Sequence, residues 1–177
     1  MKTSFTLLLV AALLGTSLNL KAEDVTDQST VVEDVKYLNR WADKFVDLAN
    51  DMRGMTRDKG LVELGIGMDI SAEANSYHID CTTLAKELSI FATVEFNCGC
   101  GTNALPYVQR DIDELLNLNE RLVKQVSSSI SYFKTEALST QASRFRANLR
   151  EFKETLKTLQ SKYGRPKEEP TPNLRIK

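Results

Sequence analysis

The chain is poor in the side chains that most enzymes and metalloproteins use. It carries one histidine, one tryptophan and three cysteines in 177 residues. One histidine leaves few possible Ser-His-Asp arrangements, and neither Gly-x-Ser-x-Gly nor His-Glu-x-x-His occurs. Gly65-Ile66-Gly67 lacks the third glycine and the preceding strand of a dinucleotide fingerprint. Of four prolines, only Pro106 falls before residue 166, so long helices meet almost no breaker. Charge is nearly balanced, at −1, and no aromatic residues interleave with the basic row Arg146, Arg150, Lys153, Lys157 as in single-strand binders; nucleic acid is not an expected partner. After residue 14 no apolar run is long enough to cross a membrane as a helix.

What the chain does have begins with Lys2 and the apolar run Phe5 to Leu14, followed by Leu20-Lys21-Ala22 and the acids Glu23-Asp24. A positive start, a short apolar stretch and a small residue before a charged junction predict a secretory signal over residues 1–22. No cysteine follows closely, which argues against a lipid anchor. The expected destination is the periplasm or the extracellular space. Residues 23–29 read as a flexible N-terminus, and residues 165–177, with Pro170 and Pro172 among charges, as a disordered tail.

Between them, residues 30–164 repeat apolar side chains at alternating three- and four-residue steps in four segments. The last runs Leu138, Ala142, Phe145, Leu149, Phe152, Leu156, Leu159, Tyr163. Such spacing keeps these side chains on one stripe of an α-helix, and each stripe needs a partner to bury it. The first stripe is Val31, Val35, Leu38, Ala42, Phe45, Ala49, Met52; Thr30 and Glu33 suggest a capping box before it, and Gly54 a left-handed end after it. The second is Ile70, Ala74, Tyr77, Cys81, Leu84, Leu88, Phe91, with Asp69 or Ser71 as a start. The third is Leu105, Val108, Ile112, Leu115, Asn119, Leu122, Val126, which places an amide on the seam. Past Phe133 the apolar phase shifts by one position, predicting a turn near Lys134, and Tyr163-Gly164 closes the last helix. The fold class is all-α: an antiparallel four-helix bundle with a Gly-rich first connection, residues 54–67, and a Cys-containing loop before the third helix.

The candidate reactive groups are Cys81, Cys98 and Cys100. Export favours a disulfide. Cys81 pairs with the loop only if the second helix ends early and residues 93–97 fold back, since a straight helix would hold Cys81 and Cys98 about 25 Å apart. The other options are a Cys98–Cys100 bridge, an intermolecular bridge giving a homodimer, or a zinc set of His78, Cys81, Cys98 and Cys100. No other metal or cofactor is expected. Asp111, Asp113 and Glu114 could form an acid/base pair, yet they also suit the positive end of the third helix. Finally, Arg146, Arg150, Lys153 and Lys157 form a basic row beside the fourth stripe, extended by Arg144, Lys162 and Arg165, and the acids Asp43, Asp47 and Asp51 of the first helix could face it. Export, a helical scaffold and the missing catalytic set together point to non-enzymatic binding of a protein partner, as in an immunity protein, a secretion accessory or an envelope chaperone. A thiol-redox or zinc protein centred on the cysteines is the alternative.

Overall fold

The computed structural model describes residues 28–164. The expected signal segment, most of the expected flexible N-terminus and the expected tail lie outside the described residues. Four helices, α1 (Gln28–Thr56), α2 (Leu61–Cys98), α3 (Leu105–Ser129) and α4 (Glu136–Tyr163), pack as an antiparallel bundle. Each helix lies against the next in the chain, and α4 returns to α1. No strand occurs among the described residues.

The four stripes form one core. Its centre is aromatic: the Phe45 ring lies 5.0 Å from Tyr77, 5.5 Å from Phe152 and 6.1 Å from Phe145, and Trp41 sits 5.2 Å from Phe152. The three Phe45 contacts are edge-to-face and the Trp41–Phe152 contact is tilted, and such ring pairs add to the burial of large apolar surfaces. Two polar side chains cross the core. The Tyr77 hydroxyl donates to the Leu115 carbonyl at 2.9 Å, and the Asn119 amide donates to the Leu149 carbonyl at 2.8 Å. Asn119 is therefore on the seam, as its spacing implies, and links α3 to α4 in one register.

The helix ends depart from the sequence expectation. Residues 28 and 29 are already helical, so Thr30 lies inside α1, and Glu33 pairs with Lys36 at 2.7 Å instead of closing a capping box. Helix α1 also runs through Gly54 to Thr56. The Gly-rich connection shrinks to residues 57–60, because α2 begins at Leu61 and takes Gly65 and Gly67 into helix. Glycine costs roughly 1 kcal/mol in a helix relative to alanine, but at Gly67 that cost has a purpose. A Cβ there would overlap the Thr56 side chain of α1. The glycine permits a close crossing of two helices and is no linker. Of the apolar residues in that stretch, Leu64 and Ile66 are half-buried, with Ile66 packed on the core, whereas Leu61 and Val62 are exposed.

Helix α2 continues past Asp80 to Cys98 without a break, and Gly99, at φ 65°, caps it with its N–H on the Glu95 carbonyl. This is the left-handed ending expected of glycine, one helix later than the sequence suggested for it. Pro106 sits in the first turn of α3 as expected. The turn near Lys134 is present: Ile130–Tyr132 winds as a short 3-10 turn, Phe133 is extended, and α4 starts at Glu136. At the other end of α4, Gly164 ends the helix in an extended conformation.

Candidate binding surfaces

Two connections meet at one end of the bundle, that between α1 and α2 and that between α3 and α4. Glu63, in the first turn of α2, reaches across to the start of α4. Its Oε1 accepts the backbone N–H groups of Lys134 (2.8 Å) and Thr135 (2.7 Å), and its Oε2 accepts the Thr135 hydroxyl at 3.3 Å. These two amides lie just before α4, on Lys134 and on the cap residue Thr135, so the carboxylate plays the part of a capping-box glutamate but is delivered from another helix. These bonds hold the Glu63 carboxyl below the usual carboxylate range. Around this fixed point Leu61 (87% exposed), Val62 (64%) and Tyr132 (62%) stand in solvent. With Gly60, Ser131 and Lys134 they line a groove of about 480 Å³. Three large apolar side chains are thus exposed around one groove.

The opposite end is tied by ionic bonds. Asp34 accepts from Lys162 at 2.8 and 3.0 Å and from the Tyr163 hydroxyl at 2.7 Å, and the Tyr163 ring meets Phe91 at 6.0 Å. Burial, and then the bond to Asp34, push the Tyr163 hydroxyl well above the ordinary tyrosine range.

The basic row is placed beside α3 rather than opposite the acidic row of α1. Lys153 pairs with Glu120 at 2.8 Å and Lys157 with Glu154 of its own helix at 2.9 Å. Arg150 is exposed and Arg146 half-buried. Of the acids, Asp43 and Asp47 are exposed, while Asp51 accepts from Gln141 at 3.1 Å. Solvated pairs of this kind contribute about 0–1 kcal/mol each.

Between α2 and α3 lies an acidic groove of about 440 Å³ lined by Asp80, Thr83, Asp111, Glu114 and Arg121 among others. Burial, then Asp111 and Glu114, raise the Asp80 carboxyl. Glu87 is raised by burial and then by the neighbouring Asp111 carboxylate. The carboxylates considered for acid/base chemistry are engaged elsewhere. Arg110 binds Asp111 at 2.8 Å and approaches Glu114 at 3.8 Å, and Asp113 accepts from Gln160 at 2.7 Å.

The cysteines do not converge. Cys98 and Cys100 are joined in a disulfide across the end of α2, and Cys81 is a buried free thiol. One continuous helix keeps Cys81 about 25 Å from Cys98. The foldback that a Cys81 bridge requires is absent because Phe91 and Ala92 remain buried within α2. Burial raises the Cys81 thiol, with a smaller push from Asp80. His78 points away from any thiol pair, its Nδ1 lying 3.0 Å from the Ala42 carbonyl of α1. No cluster of three or more metal-binding side chains occurs among the described residues, and no helix among them is long and apolar enough to cross a membrane.

Sequence reasoning named the basic row and missed Glu63. The only available signal was Gly60 followed by an acid three residues on, and nothing in it points 71 residues ahead. No protein-family model, curated protein or solved structure matches this chain.

Proposed function

We propose that this is an exported protein that acts without catalysis, holding a protein partner on the apolar end of its bundle. Export is supported by the signal-like pattern of residues 1–22. The observation that carries the binding role is the set Leu61, Val62 and Tyr132, exposed together around a groove whose wall is fixed by Glu63. Burying a valine or leucine side chain contributes roughly 1.5–3 kcal/mol, so a partner covering this end gains substantially from few residues. The basic row is a weaker second surface, since two of its four members already have acidic partners. A thiol-redox or zinc role centred on Cys81, Cys98 and Cys100 draws less support, because Cys81 is buried and remote from the other two.

The test is capture of partners from the producing cell, followed by calorimetry with the purified partner. Leu61→Asp/Val62→Asp is expected to weaken that binding at least about tenfold, each 1.4 kcal/mol being a factor of ten. Unchanged binding, or turnover of a small molecule with no protein retained, overturns the reading. Thiol titration separates the alternative: no thiol reacts in the native chain and one reacts in denaturant if Cys81 is only buried and the Cys98–Cys100 bridge is intact.

A further inference from the structure

The loop between α2 and α3 is held without help from its disulfide. The Gly99 N–H ends α2 by donating to the Glu95 carbonyl at 2.8 Å, and the Gly101 N–H donates to the Glu95 carboxylate at 2.7 Å. The Asn103 and Ala104 N–H groups then close onto the Cys100 and Gly101 carbonyls. A side chain at Gly101 would overlap Glu95 and crowd Phe91, so the inner side of the loop is packed, while the space beside Gly99 is open. The bridge joins residues two apart in sequence, and it ties α2 to the loop that follows, not to another helix. Chain-entropy stabilisation grows with the loop that a disulfide closes, and this loop is close to the smallest one. What the bridge does have is access: Cys98 is exposed and Cys100 half-buried, whereas Cys81 is buried. Cys98 Sγ lies 3.0 Å from the Val94 carbonyl, and Cys100 Sγ 3.3 Å from the Cys98 carbonyl. Two thiols at these positions each find an acceptor in place, so the reduced pair fits the backbone that the bridge occupies. Exposure and a stabilised reduced form both make a disulfide more oxidising. Cys81, about 25 Å away along α2, is too distant to attack either sulfur.

We propose that the Cys98–Cys100 bridge is a thiol–disulfide exchange site that oxidises a pair of thiols on another polypeptide. A substrate thiolate attacks Cys98 Sγ, on the more exposed of the two residues. The bond between Cys98 and Cys100 breaks, its electron pair leaves with Cys100 Sγ, and the resulting thiolate takes up a proton from water. The second substrate thiolate then attacks the substrate sulfur of the mixed disulfide. Cys98 leaves as a thiolate and is protonated in turn. The substrate loses two electrons and two protons and ends as a disulfide; the chain gains both and ends as two thiols. The substrate has to bring two thiols of its own. Cys100, held two residues from Cys98, re-attacks a mixed disulfide at high effective concentration and expels a lone thiol before a second molecule arrives. Each chain makes the exchange once and is restored by an external disulfide such as oxidised glutathione, so the step asks for no catalysis by the chain. It leaves out His78 and Cys81, and it does not rest on the apolar end that carries the binding role.

The purified oxidised chain is mixed with an equal amount of a synthetic peptide carrying two reduced cysteines several residues apart, quenched in acid, alkylated and read by mass spectrometry. The equilibrium is expected to favour oxidised peptide and reduced Cys98 and Cys100 by at least about tenfold, with peptide adducts on Cys98 at early times. The same peptide with one cysteine changed to serine should leave the bridge intact, and Cys81→Ala should exchange as the parent does. An equilibrium that leaves the two-cysteine peptide reduced overturns the proposal, as do adducts confined to Cys100 or equal reduction of the bridge by the one-cysteine peptide. Thermal unfolding of Cys98→Ser/Cys100→Ser, followed by circular dichroism, separates exchange from a purely structural bridge. Its Tm should match that of the parent, because Glu95 holds the loop. A Tm lower by several degrees would make the bridge a structural staple and overturn the proposal.

Discussion

The two ends of the bundle are built on opposite principles. At the end where α4 finishes, Asp34 gathers Lys162 and the Tyr163 hydroxyl, and the Tyr163 ring packs on Phe91. At the other end Glu63 also gathers donors from a distant helix, but the apolar residues beside it are left in water. Both ends are secured by one carboxylate acting across helices; at the Glu63 end the exposed apolar side chains Leu61, Val62 and Tyr132 also line a single groove. The difference shows that stability and exposure can be set separately. A capped helix start does not need Leu61 or Tyr132, so those side chains are available for contact with something else.

The largest effect expected is the loss of what both ends share. Phe152→Ala removes a ring in contact with Trp41, Phe45 and Tyr77 and should cost about 3–5 kcal/mol by denaturant unfolding; a much smaller loss would mean that the two ends are stabilised independently. Next is Asp34→Ala, which strands Lys162 and the buried Tyr163 hydroxyl. Hydrogen bonds to a charged group contribute roughly 1.5–3 kcal/mol, and amide exchange should rise selectively in the last turns of α4. A smaller, pH-dependent effect distinguishes Glu63 from Glu87. Glu63 is lowered in the folded chain, first by the Thr135 N–H bond. Its contribution is present above the unfolded carboxylate pKa and disappears as pH falls through the lower folded value. Glu87 is raised, first by burial and then by Asp111, so its contribution is full below the unfolded pKa and is lost as pH rises through the folded one. Glu63→Gln should flatten the acid limb of a stability profile, while Glu87→Gln should improve stability at neutral pH. If the two substitutions moved the profile in the same direction, the assigned environments would be wrong. The smallest effect belongs to Leu61→Ser/Val62→Ser, expected to shift stability by no more than about 0.5 kcal/mol per site, as for surface changes generally. A large loss would show these residues to be part of the core.

Much of the scaffold was legible in the sequence because burial imposes a period. Leu138 to Tyr163 could only be a helical stripe, Asn119 had to lie on a seam, and the one-position phase shift after Phe133 marked the turn. The start of α2 was not legible. Gly65 and Gly67 read as a linker by composition, whereas packing against Thr56 makes Gly67 a contact point. Local propensity gave way to a tertiary crossing. Glu63 failed for a related reason: its role is defined by amides 71 and 72 residues away. The cysteines were ambiguous until the continuity of α2 removed the foldback on which a Cys81 bridge depended.

The links between helices have a kinetic side. Residues 57–60, 99–104 and 130–135 are all that separate consecutive helices, so each hairpin can zip from its own turn with little loop entropy to overcome. Topologies dominated by such local encounters fold in microseconds to milliseconds. A chain that reaches its final shape this quickly gives proteases and neighbouring unfolded chains very little time to act on it.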